Sequence, residues 1–320
     1  MSTRWHCEST IKYKDGTCKN DLRLNTVSLY FNVNEGNYQI TSFRSKIMAS
    51  FGLFGCVLLL VCLQEIIVQV QGNPIAQEAE NLDIGQCISY SSGLDCSDIW
   101  QKNKSSACGR YMIRPNGADT PFPVYCEMTK SGGWTLIQRR NGQDGLSFDR
   151  LWDEYVQGFG FPEGEHWLGL KYMSNLTNQM KKTCKLRIEL EDFSNNTAYA
   201  EYSSICISNK ENYKLTLGQY SGTAGDAFEG DANNRQHGMF FSTLDNSHDN
   251  CKPRCFIADQ AYRSCGEIFS SGWWFNACGA ANLNGLYLKD EYTDMLAYIA
   301  WPTWRVRESL KSTKMLLNCN

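Results

Sequence analysis

The chain has 320 residues, 42 % of them apolar and 20 % charged, which is enough apolar material for a sizeable core and argues against general disorder. Its 31 basic and 34 acidic residues nearly cancel to a formal net charge of −3, so the charge balance points to neither nucleic acid nor an anionic membrane surface as partner. The 15 cysteines raise a question of compartment, because such a number means metal sites in a reducing cytosol and disulfides outside the cell.

Residues 1–47 show no clear helical or strand period and read as an upstream extension, absent from the mature protein. Residues 48–72 read as a signal peptide that starts at Met48. Its apolar stretch, 51–63, carries no charge and follows Arg44 and Lys46. Thirteen apolar residues suit a signal peptide, whereas a membrane-spanning helix needs about 20. The alternative is a signal anchor in a type II membrane protein, which would place Glu65 in the bilayer at a cost. A secreted, extracellular protein is therefore expected.

Cleavage after Gly72 would leave eleven cysteines: Cys87, Cys96, Cys108, Cys126, Cys184, Cys206, Cys251, Cys255, Cys265, Cys278 and Cys319. An odd number leaves one thiol free or bonded to another chain. A disulfide-linked homo-oligomer is thus expected, through Cys87 or whichever thiol is odd. Asn-x-Ser/Thr sequons at Asn103, Asn175 and Asn195 suit the same compartment as glycosylation sites.

Residues 73–95 read as a linker without collagen or heptad repeats, and 96–320 as one continuous globular unit. Short helices are predicted at 97–102, 148–157 and 170–180. Alternation predicts strands at 133–139 and 185–191, the latter joined through Asn195-Asn196 to a strand at 197–203. Folding that hairpin about the two asparagines sets Cys184 opposite Cys206, which predicts a cross-strand disulfide between them. Beyond Gly218 the chain is rich in Gly, Asn and Asp and reads as irregular. The predicted class is α+β, with an antiparallel sheet and a loop-rich C-terminal lobe.

Several segments in order resemble one family. They include Asp95-Cys-Ser-Asp-Ile99, Pro123-Val-Tyr-Cys-Glu-Met128, Gly132-Gly-Trp-Thr-Leu-Ile-Gln-Arg-Arg140 and Trp167-Leu-Gly169. Leu186-Arg-Ile-Glu-Leu-Glu-Asp192, Tyr220-Ser-Gly-Thr-Ala-Gly-Asp-Ala-Phe228, Gly238-Met-Phe-Phe-Ser-Thr-Leu-Asp245, Gly272-Trp-Trp-Phe-Asn-Ala-Cys278, Asn282-Leu-Asn-Gly285 and Ser309-Leu-Lys-Ser-Thr-Lys-Met315 continue the match. Together they resemble the fibrinogen-related domain of fibrinogen chains, ficolins, tachylectins, angiopoietins and tenascins. The resemblance implies a fibrinogen C-terminal-like fold with disulfides Cys96–Cys126 and Cys265–Cys278. It leaves the pairing of Cys87, Cys108, Cys251, Cys255 and Cys319 open. Cys251 and Cys255 lie in what looks like an insertion before Cys265, and two of these thiols are candidates to staple it.

The family's calcium loop corresponds here to Asp245-Asn-Ser-His-Asp-Asn250. Asp245, Ser247 and Asp249 stand at alternate positions as candidate ligands of a hard cation, with Ser247 where the family has a carboxylate. The alternative is an Asx-rich turn without metal. The family's ligand pocket maps onto Phe275, Asn276, Ala277, Cys278, Gly279 and Asn282, with Tyr298 intruding. The resemblance implies a cis peptide at Ala277–Cys278, with N–H groups that donate to an acetyl carbonyl or a carboxylate. Ala277, Gly279 and Leu296 replace the family's polar pocket residues, so the pocket is recast. Trp273 and Trp274 read as core.

The expected function is a secreted, non-enzymatic recognition protein that binds glycans or acetylated surface groups as a lectin of innate immunity. The alternative is an extracellular matrix or signalling ligand with a protein partner. The four histidines fall in no catalytic motif, and no nucleophile elbow or phosphate loop is present. A zinc site from His248, Cys251, Cys255 and Cys265 has tolerable spacing, but disulfides are the simpler outcome in a secreted chain.

Overall fold

The computed structural model describes residues 4–7, 27–34, 37–45, 93–230, 234–257, 260–288 and 297–320. The chain divides into two compact units, Met1–Ser89 and Tyr90–Asn320. The signal segment, linker residues 73–92, Cys87 and Leu296 lie outside the described residues.

In the first unit, β1 (Arg4–Cys7), β2 (Val27–Asn34) and β3 (Asn37–Ser45) form an antiparallel sheet in that order. The sequence reading found no strand period here, yet Val27, Leu29, Phe31 and Val33 alternate with polar residues or Tyr30. The register of β2 on β3 runs from Val27 opposite Ser45 to Asn34 opposite Asn37.

The second unit runs α1 (Cys96–Lys102), β4 (Gly109–Ile113), β5 (Phe122–Thr129), β6 (Gly132–Arg140), α2 (Trp152–Gln157), β7 (Phe159–Gly160), β8 (His166–Trp167) and α3 (Leu170–Thr177). It continues with β9 (Cys184–Glu191), β10 (Thr197–Ser208), β11 (Lys214–Leu217), β12 (Tyr220–Gly222), β13 (Cys255–Ile257), β14 (Gln260–Tyr262), α4 (Cys265–Phe269) and β15 (Ser312–Cys319). The main sheet has the order β11-β10-β9-β15-β6-β5-β4, with antiparallel pairing throughout. The class is α+β, as expected.

The last strand of the chain, β15, lies in the middle of this sheet between β9 and β6. Folding therefore cannot be completed until the C-terminus is in place. Burial alternates along β9, with Leu186, Ile188 and Leu190 at most 2 % exposed, as the charged–aliphatic alternation predicts. Helix α1 starts where Asp95 caps it: its carboxylate accepts from Asp98 N–H and from Lys182 Nζ at 2.6 Å. Helix α2 begins later than expected, because Leu151 is extended and the Phe148 carbonyl accepts from the Tyr155 hydroxyl instead of from its own helix. Trp273 and Trp274 are fully buried, packed edge to face on each other.

The disulfides correct one expectation. Cys96–Cys126 and Cys265–Cys278 form as the resemblance implies, and Cys251–Cys255 staples the inserted loop. Cys184, however, pairs with Cys319 and not with Cys206. The hairpin turns earlier than the asparagine pair suggests, with Glu191 opposite Thr197, and a bulge between Tyr202 and Ile205 sets Ile205 opposite Cys184. Cys206 then falls on the other face of β10, while Cys319 of β15 is in register with Cys184 on the buried one. Cys108 is also disulfide-bonded.

The odd thiol among the described residues is Cys206. It is half-buried, its sulfur lies 3.1 Å from Asn178 Oδ1, and burial pushes its pKa up. Little thiolate is thus offered to a second chain.

Strand β6 carries the polar braces that position the loop-rich lobe. Gln138 Nε2 donates to the Leu283 carbonyl at 2.9 Å, and Arg140 Nη1 to the Gly285 carbonyl at 2.7 Å. Arg140 is 3.5 Å from Glu165 as an ion pair, with both side chains at most 2 % exposed, and it stacks over the Phe148 ring. Glu165 in turn accepts from the N–H groups of Asn141 and Gly142. Burial lowers the Arg140 pKa and Glu165 opposes that shift.

Candidate functional site

The 242–250 loop is anchored by paired backbone bonds between Ser242 and Trp273. Asp249 is 2 % exposed, and both its carboxylate oxygens are committed. Oδ1 accepts from Cys251 N–H at 3.1 Å, and Oδ2 from Cys265 N–H at 2.6 Å. Its carbonyl accepts from Ala277 N–H at 2.9 Å. One residue thus ties together three cysteine-bearing segments. Asp245 Oδ1 accepts from Trp152 N–H and from the Thr243 hydroxyl, while Ser247 is exposed.

Calcium takes six to eight oxygens, mostly from carboxylates and carbonyls. Among the described residues the three candidate side chains retain only Asp245 Oδ2 and the Ser247 hydroxyl without such commitments. With Asp249 holding two backbone N–H groups, the three side chains alone supply fewer free oxygens than a calcium shell takes, and backbone carbonyls and water would have to supply the rest. The cysteines leave no thiolate set for zinc, since all four sulfurs near this loop are paired with one another.

Beside the loop lies a cleft of about 160 Å³, lined by Phe269, Phe275, Cys278, Gly279, Asn282 and Tyr298, with Ala280, Ala281, Ala300 and Pro302 completing the wall. Phe275 is buried and stacks on Phe269 at 5.3 Å between ring centres. Asn282 is fixed by reciprocal backbone bonds with Ala300, and its Oδ1 accepts from the Ser271 hydroxyl. A side chain at Gly285 would meet the Tyr298 carbonyl at 2.2 Å, so only glycine lets these two wall segments touch. The Ala277–Cys278 peptide is cis.

Of the expected pocket residues, the structure brings Phe275, Cys278, Gly279, Asn282 and Tyr298 together. Two do not join them. Asn276 turns away, donating to the Arg235 carbonyl and accepting from Asn250. Ala277 is exposed outside the lining, and its N–H is spent on Asp249. Among the described residues no acceptor meets the N–H of Cys278 or of Gly279. Phe269, Ala300 and Pro302 escaped the sequence reading because apolar residues beside buried tryptophans read as core.

A larger cleft, about 290 Å³, lies by Tyr202, Asp226, Glu229, Arg235 and His237. These five polar side chains are already engaged, although the Tyr220 hydroxyl, which also lines the cleft, has no partner among the described residues. Tyr202 donates to Asp226, Arg235 pairs with Glu229, and His237 Nδ1 accepts from Leu217 N–H. The smaller cleft is therefore the better candidate, because it combines apolar walls with uncommitted donors.

His166, His237 and His248 are engaged in structural hydrogen bonds. His166 is buried between the Gly164 and Leu136 carbonyls, and burial pushes its pKa down to about 4. Since the folded value lies below the ordinary one near 6.5, the unfolded chain takes up the proton first as pH falls. This contribution to stability is complete above about pH 6.5 and is lost toward pH 4. It should remove about 2 kcal/mol between pH 7 and pH 5. Denaturant unfolding at both pH values checks this: His166→Gln should shed that part of the pH dependence, and an unchanged dependence would contradict it.

The family model for fibrinogen beta and gamma chains, C-terminal globular domain, matches residues 92–320. The chain is 40 % identical over 252 residues to fibrinogen-like protein 1 of Homo sapiens, covering 75 % of each chain. It is 39 % identical over 231 residues to human microfibril-associated glycoprotein 4, covering 69 % of this chain and 83 % of the relative. To angiopoietin-4 of Bos taurus it is 40 % identical over 233 residues, spanning 70 % of this chain and 42 % of that one.

Among solved structures, the fibrinogen-like globe domain of human ANGPTL2 superposes with a TM-score of 0.61 at 34 % identity, covering 70 % of this chain and 97 % of that domain. Lamprey fibrin D-dimer, complexed with the peptide ligand Gly-His-Arg-Pro-amide, gives a TM-score of 0.64 at 32 % identity, covering 82 % and 83 %. The chain belongs to the family of the fibrinogen C-terminal globular domain.

Proposed function

We propose that this is an extracellular, non-enzymatic recognition protein whose cleft takes a small acyl group, such as the N-acetyl of a surface glycan, in a lectin-like role in innate immunity. The observation that carries this reading is the pair of uncommitted N–H groups, of Cys278 and Gly279, at a cleft walled by Phe269, Phe275 and Tyr298. Two N–H donors suit a carbonyl or carboxylate oxygen, and the apolar walls suit the methyl group beside it. Extracellular placement rests on the disulfides, which persist in oxidising compartments. Absence of catalysis rests on the structural engagement of His166, His237 and His248.

A second reading, binding of a protein partner, is favoured by the likeness to angiopoietin-4 and to a lamprey fibrin structure that holds a peptide. Chromatography on acetylated and N-acetylglucosamine resins separates the two readings. The first expects retention that free acetate reverses. No retention under any condition would leave the protein-partner reading.

A further inference from the structure

The inserted disulfide and the one beside the cleft are in contact. The four sulfurs of Cys251, Cys255, Cys265 and Cys278 all lie within 4.8 Å of one another. Across the two bridges, Cys251 and Cys265 are 3.3 Å apart and Cys255 and Cys278 3.6 Å, while Cys251–Cys278 and Cys255–Cys265 are 3.9 and 4.0 Å. Each sulfur thus has a non-bonded sulfur at van der Waals distance. Cys265 is fully buried and Cys251 7 % exposed, but Cys255 is half-exposed in a hairpin of its own, β13–β14. Exposed Lys252 and Arg254 lie between Cys251 and Cys255, and neighbouring cations favour the thiolate that Cys251 becomes.

We propose that these four cysteines form one thiol–disulfide exchange site, entered by an external thiol through Cys255. A thiolate of the incoming thiol, small or protein-borne, attacks Cys255 Sγ, forming a mixed disulfide and releasing Cys251 as thiolate. Cys251 attacks Cys265 Sγ, which breaks Cys265–Cys278, makes Cys251–Cys265 and frees the Cys278 thiolate. Cys278 then attacks Cys255 Sγ, making Cys255–Cys278 and expelling the original thiolate. The external thiol is regenerated and no net oxidant or reductant is consumed, so the sequence balances as an isomerisation. Cys96–Cys126 and Cys184–Cys319 take no part, because all four of those residues are at most 1 % exposed and none belongs to the sulfur cluster. The proposal does not depend on what the cleft binds, although Cys278 lines it.

The test is incubation of the native secreted protein in a reduced/oxidised glutathione buffer, acid quenching, alkylation and peptide mapping by mass spectrometry. Trypsin with chymotrypsin is needed, because no Lys or Arg separates Cys265 from Cys278. The expected result is Cys251–Cys265 and Cys255–Cys278 linkages, with glutathione on Cys255 as the intermediate and the other two bridges unchanged. Persistence of Cys251–Cys255 and Cys265–Cys278 alone, in a buffer that exchanges the denatured protein, would overturn the proposal. In Cys251→Ala/Cys255→Ala the Cys265–Cys278 bridge should become at least about tenfold slower to exchange. An unchanged rate would equally refute the relay.

Discussion

Replacing Cys184 and Cys319 together by alanine is expected to lower the unfolding free energy by about 5 kcal/mol on the loop-entropy model, more than the removal of any other described bridge. The bridge closes a loop of sequence separation 135, against 30, 13 and 4 for the others. Loop-closure entropy grows with length, so this bridge constrains the unfolded chain most. It also pins the last strand where it matters, since β15 supplies the middle of the main sheet and Cys319 is its final residue. Guanidinium unfolding of the double variant against the parent checks the value. A loss under about 1 kcal/mol would show that sheet pairing alone holds the C-terminus.

Glu165→Gln is expected to cost about 3–5 kcal/mol, because it strands the Arg140 charge in a site only 2 % exposed. The loss should reach the cleft, since Arg140 holds the Gly285 carbonyl and Gly285 touches the Tyr298 backbone. Replacing both partners, as Arg140→Met with Glu165→Leu, removes the charges in pairs and should restore much of the loss. Urea unfolding of single and double variants decides this. A double variant as unstable as the single one would mean that the hydrogen bonds, to Gly285 from Arg140 and to Glu165 from the 141–142 turn, matter more than the charge pair.

Much of the fold was legible because its signals are local. The alternation of β9 and the helix start behind Asp95 come straight from side-chain pattern and capping. The Cys184 partner was not legible. It depends on a bulge at 202–205 and on a strand more than 100 residues away, and neither has a local signature. The strands of the first unit show the converse, since the Val27 to Val33 alternation was present and overlooked. At the site, five pocket residues followed from resemblance, but the fate of Asp249 could not. Its carboxylate is an equally good calcium ligand or backbone acceptor on paper, and only the folded chain brings the Cys251 and Cys265 N–H groups to it. Phe269 and Pro302 were hidden for a simpler reason, because an apolar cleft wall and an apolar core use the same residues.

The proposed seat of an acyl oxygen is the pair of backbone N–H groups of Cys278 and Gly279, in the cleft beside Cys278. The most direct measurement is the amide spectrum of ¹⁵N-labelled protein during titration with N-acetylglucosamine, with glucosamine as the control. Saturable shifts of the Cys278 and Gly279 amides are expected with the acetylated sugar alone. Unmoved amides there, or shifts confined to the cleft at Tyr202 and His237, would contradict that placement.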